Sequence, residues 1–490
     1  MQDLLTKNIP IANLVAEVKL WLTSEYHVPH SDVANSLNEL QDYIGFLRTD
    51  LYVHMEYPYV DKVYRDSFYT YYASKRETYN RNSIRLSFFS SDITDADFRA
   101  SSKLHYLKST YLGFVVLRPT FPFIIGRAVL SPKAFLSSDI VISDVKYSST
   151  VDGVKLDVCG FPHSSQDTET ISCAETTVWS IMEYFGNRYA EYTPVLPSKV
   201  SSTLKKFSFE RLVPSKGLTA AQISFALKEF GFGARIYSQR SFGAEYFTLL
   251  RMYIESGIPV VGILQNANGI GHALNIVGRK HPTVPEVETL PRLLINSKGI
   301  EIFEFSQLDV EYVWVDDNFA PYRTCRLTSP ASYYPNPEWA GCTVSSFIVP
   351  LYPKIYLEAG EARKITLKLI DAFADRNWIT KKTLLIKTFL ASSRSWKNEI
   401  ALNDSFDGTV KDQLLAISMP KFIWVTEISD KNLLIAGQAS GLMILDATEP
   451  NHAGMIAGLV EDHYIVNTPD DYTRFPLSLP PFKSYQNNLR

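Results

Sequence analysis

Residues 257–278 read Gly257-Ile-Pro-Val-Val-Gly-Ile-Leu-Gln-Asn-Ala-Asn-Gly-Ile-Gly-His272-Ala-Leu-Asn-Ile-Val-Gly278. Two short apolar runs, Ile258–Leu264 and His272–Val277, flank a turn rich in glycine and asparagine, Asn266–Gly271. Runs of that length bounded by turn residues predict strands. Working outward, helical patterning over about 244–256 stops at Gly257, and Tyr312–Val315 predicts a further strand. Upstream, a helix is expected from Ser172 or Cys173 to Phe185, with Gly186-Asn187 as its stop. Another opens at Gly217-Leu218-Thr219, with Thr219 as cap, and ends at Gly231. The middle of the chain therefore reads as helices followed by strands, with Pro350 and Pro353 marking the exit.

The flanks follow the same arithmetic. Ile11, Leu14, Val15, Val18 and Trp21 recur at helical spacing, and Val33, Leu37, Leu40, Ile44 and Leu47 form one apolar stripe, so the stretch ahead of Ser83 predicts helices. Arg85–Phe89 and Tyr111–Leu117 predict strands, and the polar stretch Asp144–Gly153 suggests a boundary. After residue 353, Ile365, Leu369 and Phe373 predict a helix, and Phe422–Val425, Leu433–Ala436 and Leu442–Leu445 predict strands. The expectation is an α+β chain in three regions: 1–148, 149–352 and 353–490.

Composition narrows the function classes. Hydrophobic residues make up 46% and charged residues 21% of the 490, which excludes a disordered or collagen-like chain. Lys and Arg number 49 against 52 Asp and Glu, so no global field draws the chain to nucleic acid or an anionic membrane. Four cysteines, Cys159, Cys173, Cys325 and Cys342, are too few for a disulfide framework. Met1–Leu22 lacks a basic segment leading into an apolar core, and no run approaches the ~20 apolar residues of a membrane span. A soluble, cytoplasmic chain is expected.

Three residues combine into a chemistry. Cys173 lies at the predicted first turn of a helix, in Ile171-Ser-Cys-Ala-Glu-Thr-Thr-Val-Trp179. Free N–H groups and the helix dipole at that end stabilise a thiolate, the nucleophilic form. His272 begins an apolar strand, where the sheet fixes its ring and leaves a nitrogen free to act as base. Tyr312-Val-Trp-Val-Asp-Asp-Asn318 then ends a strand in two carboxylates, either able to take the imidazole's second N–H.

The order of helix-borne Cys173, strand-borne Gly271-His272 and strand-terminal aspartate resembles the papain-like cysteine peptidase superfamily. Gly257-Ile-Pro-Val-Val-Gly-Ile263 followed by Gly271-His-Ala-Leu-Asn-Ile-Val-Gly278 is similar to its bacteriocin-processing, double-glycine leader peptidase branch. The resemblance covers about 150–350. It implies a helical half against an antiparallel sheet half, and a cysteine protease acting on a protein or peptide substrate without a cofactor. It implies Cys173 as nucleophile, His272 as base and Asp316 as third member, with Asp317 as alternate. Gln166, in Ser165-Gln166-Asp167, matches the glutamine that binds the oxyanion in that family. The same residues would serve acyl transfer of the transglutaminase type, and a non-catalytic binding module is the remaining alternative.

Other patterns carry less. Cys159 and His163 lack the partners of a zinc site, and no phosphate-binding glycine motif occurs. Eight tyrosines from Tyr52 to Tyr79, interleaved with Lys62, Arg65, Lys75 and Arg76, could stack on single-stranded nucleic acid, but aromatic packing is the favoured reading. His452 and His463 near Asp446, Glu461 and Asp462 sit in loop-like sequence. Tyr111-Leu-Gly-Phe-Val-Val-Leu-Arg-Pro119 and Ile125-Gly126-Arg127 look motif-like without an evident chemistry. No oligomeric state follows from the residues.

Overall fold

The computed structural model describes residues 4–490 apart from 27–29, 78, 168, 171, 208–211, 213–217, 451–453 and 469–470. Gly217 and His452 thus lie outside the described residues. Helices and largely antiparallel sheets give a mixed α+β architecture. Among the described residues no helix is long and apolar enough to cross a membrane.

Three sheets organise the chain. The first has seven strands, in the spatial order 5–10, 52–59, 83–89, 111–117, 125–130, 154–164 and 145–151. The second runs 323–325, 312–315, 271–280, 260–265, 343–351 and 233–238, with 140–142 added beside 278–280. The third has eight strands, 292–295, 301–304, 383–392, 422–429, 441–446, 455–460, 463–467 and 472–476. All of their pairings are antiparallel except that of 301–304 with 383–386.

The central strands of the second sheet, 260–265, 271–280 and 312–315, are buried on both faces, which is why they read as largely apolar runs. Ala273, Val277, Val313 and Val315 belong to one core with Val178, Ile181 and Met182 of the helix Cys173–Arg188. The alternate residues Leu274, Ile276, Tyr312 and Trp314 belong to a second core with Leu249, Leu250 and Tyr253 of the helix Tyr246–Glu255. The first core extends without a break into the N-terminal sheet, where Phe161 stacks on Tyr184 of the Cys173 helix at 5.4 Å.

Several segments differ from expectation for identifiable reasons. The polar stretch 144–153, read as a boundary, belongs to a hairpin of Val145–Val151 with Val154–Ser164, turning at Asp152-Gly153 with both φ positive. Its alternating polar residues face outward, which in sequence resembles a linker. Strands 292–295 and 301–304 leave the middle region to join the third sheet. Ahead of Ser83 the chain holds two strands, Leu5–Pro10 and Tyr52–Tyr59, as well as helices. Leu433–Ala436 falls largely in a short helix, Lys431–Ile435, whose Asp430 carboxylate accepts from Leu433 N–H. A four-residue apolar run cannot by itself separate strand from helix. In the tyrosine-rich segment, Tyr57, Tyr64 and Tyr72 are buried, split among a strand, a helix and the turn after it.

The helix also runs past its expected stop at Gly186-Asn187 to Arg188. Gly186 serves a different end: a Cβ there would lie 2.3 Å from Pro194 N and 2.7 Å from Thr193 C, where the returning chain crosses the helix. Gly186→Ala is therefore expected to cost about 1–3 kcal/mol through overpacking, although alanine is the better helix former. A lowered urea midpoint is the expected readout, and an unchanged or raised midpoint refutes the crossing as the reason for glycine.

Candidate active site

Cys173 is the first residue of its helix, as the capping sequence dictates. The Ser172 hydroxyl hydrogen-bonds the Glu175 carboxylate, and Ser172 N–H donates to Glu175 Oε2 at 3.3 Å. That box fixes where the helix starts and so places the thiol at the positive end of the dipole. Two threonines on the first turn dock it. The Thr177 hydroxyl lies 2.7 Å from the Cys173 carbonyl and 3.1 Å from the Ala273 carbonyl, while Asn275 Nδ2 donates to Thr177 O at 3.2 Å. The Thr176 hydroxyl lies 2.9 Å from Asp317 Oδ2. The helix start is thus tied to the strand of His272 and to the end of the strand Tyr312–Val315.

His272, at the head of the strand Gly271–Lys280, is buried, and its Nε2 lies 2.9 Å from Asp316 Oδ1 and 3.7 Å from Asp317 Oδ1. Cys173 is among the groups that favour its charged form. With Nε2 committed to Asp316, Nδ1 is the nitrogen left for the thiol. Burial works against a charged imidazole, but the Asp316 charge and hydrogen bond, the neighbouring Cys173 and the Asp317 charge together hold its pKa well above the ordinary histidine value.

The two carboxylates divide their roles. Asp316 is fully buried, yet the His272 charge and the hydrogen bonds from His272, the Tyr334 hydroxyl and Asn318 N–H overcome burial and keep it well below the usual carboxylate range. Burial drives Asp317 the other way; the His272 charge opposes the rise, the Asp316 charge adds to it, and the net shift is upward. Asp316 is the ionised partner of the imidazole. Its Oδ2 accepts from Tyr333 at 2.8 Å and Tyr334 at 2.7 Å, and its Oδ1 also accepts from Asn318 N–H at 3.0 Å.

An aromatic roof covers this pair. Trp339 stacks on Tyr334 with centroids 3.6 Å apart and meets the His272 ring edge-on at 5.3 Å. Asn266 of the glycine-rich turn donates to Glu338 O at 2.6 Å, joining that turn to the roof. Such a cover excludes water and strengthens each charge-assisted bond beneath it.

Gln166 joins the same network from the end of the strand Val154–Ser164. Its Nε2 donates to Asn318 Oδ1 at 2.6 Å, and Asn318 Nδ2 in turn donates to the Tyr334 hydroxyl at 3.0 Å. The sequence-expected residues Cys173, His272, Asp316, Asp317 and Gln166 therefore share one connected site. Sequence reasoning missed Thr176, Thr177, Asn275, Asn318, Tyr333, Tyr334 and Trp339. The adjacent Tyr333-Tyr334 in an otherwise polar stretch is the one local signal for any of them.

The remaining candidates stay apart from this site or serve it structurally. His163 is buried, with Nε2 3.2 Å from the Asp316 carbonyl, and burial pushes its pKa down to about 4. Cys159 is exposed, and Cys325 and Cys342 are buried. Glu461 accepts from the Thr380 hydroxyl and the N–H groups of Thr380 and Lys381. Among the described residues, His272, Asp316 and Asp317 are the one set of three potential metal ligands whose donor atoms lie within 4.8 Å of one another. Hydrogen bonds already occupy both oxygens of Asp316. A scan against protein-family models and a search of curated proteins find no match for the chain.

Removing the Asp316 charge should let burial prevail at His272. Asp316→Asn is expected to lower the imidazole pKa, so that the proton is lost at a lower pH, as followed by the NMR titration of the ring. Asp317→Asn is expected to lower it less, because that carboxylate stands farther from Nε2. An equal or larger shift in Asp317→Asn transfers the partner role to Asp317.

Proposed function

We propose that the chain is a cysteine hydrolase of papain-like type that cleaves peptide or amide bonds of a protein or peptide substrate through a thioester. The observation that carries this reading is a row of three groups: a thiol at a helix N-terminus, a buried imidazole whose charged form that thiol favours, and an ionised aspartate 2.9 Å from the ring. A binding module has no physical need for all three, and the upward shift at His272 is what a thiolate–imidazolium pair requires.

The steps follow from those positions. The Cys173 thiolate attacks the carbonyl carbon and forms the S–C bond. The oxyanion is held by the Cys173 backbone N–H and the Gln166 amide, donors each typically worth ~3 kcal/mol. His272 gives its proton to the departing amine as the C–N bond breaks. Water then enters, His272 takes its proton as the C–O bond forms, and the C–S bond breaks to release the acid and return the Cys173 thiolate beside the protonated His272. An amine in place of water would give transfer, and incorporation of a labelled primary amine distinguishes that outcome.

Cys173→Ala is expected to abolish turnover while leaving the far-ultraviolet circular dichroism unchanged. In the wild type, iodoacetamide should alkylate Cys173 ahead of Cys159, because partial desolvation and the Asp144 charge raise the Cys159 thiol. Cys325 and Cys342 are buried with raised thiol pKa values, so both should react last. Full turnover in Cys173→Ala, or preferential labelling elsewhere, removes the assignment.

A further inference from the structure

The segment that carries Gln166 has no secondary structure of its own, and several of its residues are buried. Buried carbonyls in such a segment need partners. Arg118, 3% exposed, supplies them: one terminal nitrogen donates to Ser165 O at 2.9 Å and to Gln166 O at 2.8 Å. Its Nε is 3.3 Å from Phe123 O, so the guanidinium is held at both ends. Arg118 closes the stretch Tyr111–Arg118, and its own N–H donates to Ile124 O at 2.8 Å. Gly126 packs beside its stem: a Cβ there would stand at ordinary contact, 3.6 Å, from Arg118 Cδ and press on Val116 O at 3.1 Å.

The next residue is pinned as firmly. Asp167 Oδ2 accepts from the Tyr72 hydroxyl at 2.9 Å, and its Oδ1 accepts from Thr170 N–H at 2.7 Å and Glu169 N–H at 3.0 Å. Tyr72 follows the helix Lys62–Thr70, whose cap Asp61 also accepts from Arg127 Nε at 2.8 Å. Of the two motif-like stretches of the N-terminal sheet, the first binds the backbone at Gln166 through Arg118, while Arg127 of the second holds the helix cap Asp61 and pairs in the sheet with Ser164.

We propose that Arg118 is a positioning residue for oxyanion stabilisation: by binding the carbonyls on either side of the Gln166 α-carbon it fixes where the Gln166 amide stands, and so makes the N-terminal sheet part of the catalytic unit. This rests on the hydrolase reading above. A guanidinium suits the task because it stays charged and its planar head holds the Phe123 carbonyl with one nitrogen while another serves the carbonyls of Ser165 and Gln166, whereas a lysine ammonium reaches as a single point. A displacement of about 1 Å in a group acting on the transition state can cost ~100-fold in rate.

The test separates acylation from thiol reactivity. Acylation of Cys173 by p-nitrophenyl acetate passes through a tetrahedral oxyanion, whereas alkylation by iodoacetamide does not. In the full-length chain, Arg118→Met is expected to slow acylation about 10- to 100-fold and leave the alkylation rate of Cys173 within about twofold of wild type. Arg118→Lys, which keeps the charge in the buried site, is expected to show a smaller loss of the same kind and carries the test if Arg118→Met does not fold. In the Gln166→Ala background, either Arg118 substitution should slow acylation no further, because both act through one donor. Equal losses of acylation and alkylation, or losses that add to that of Gln166→Ala, overturn the positioning role. Unchanged acylation in both Arg118 variants also overturns it, while leaving the hydrolase reading intact. Absence of Cys173-dependent acylation in the wild type removes that reading and the role of Arg118 with it.

Discussion

Two carboxylates adjacent in sequence are buried against one imidazole, and much of the surrounding structure resolves that charge problem. Burying one unpaired carboxylate is costly, and burying two side by side adds their repulsion. The fold divides them. Asp316 receives His272, two tyrosine hydroxyls and a backbone N–H, while Asp317 is set beside the Thr176 hydroxyl with its pKa driven up. The loop bearing Tyr333, Tyr334 and Trp339 lies where it does because Asp316 needs donors that its own strand cannot supply. The same bonds hold the imidazole in place and favour its charged form, so one set of contacts both accommodates the buried Asp316 and sets the state of the ring.

The parts of this site that were legible in sequence are those encoded within a few residues. Ser172, Cys173 and Glu175 announce a helix start, a glycine-rich turn announces the head of the His272 strand, and Val315-Asp316 announces a strand end. Gln166 and the choice of Asp316 came from family resemblance, because nothing local marks a glutamine in an extended segment. The roof, the threonine docking and Arg118 were not legible: their partners lie far away in the chain, and an arginine at a strand end reads as an ordinary surface residue until its carbonyl acceptors are known. The tertiary fold likewise overrode the regional divisions. The 144–153 hairpin is polar on its outward face, which imitates a linker, and 292–304 pairs with a sheet whose other strands begin only after residue 380.

The three regions consequently share structure that a linear division would separate. One core runs from the N-terminal sheet through the Cys173 helix to the facing side of the His272 strand. The other face of that strand opens on the core shared with the third sheet. The second sheet is therefore the partition between two cores, and the position of its strands is set from both sides, which favours a rigid base for His272 and Asp316.

Ile142, whose strand Ile140–Ile142 lies beside that of His272, exchanges backbone hydrogen bonds with Arg490, and Gly257 lies directly under Asn488. Contacts between residues so far apart in sequence carry a large loop-closure entropy, which must be met before they contribute anything. The residues around Cys173 are themselves gathered from Tyr72 to Trp339, and the strand behind His272 is bordered by one whose own anchor is the last residue of the sequence. Closure of that frame therefore requires distant segments to meet, and it stays open until residues 488–490 dock beside the strand Ile140–Ile142 and the turn at Gly257.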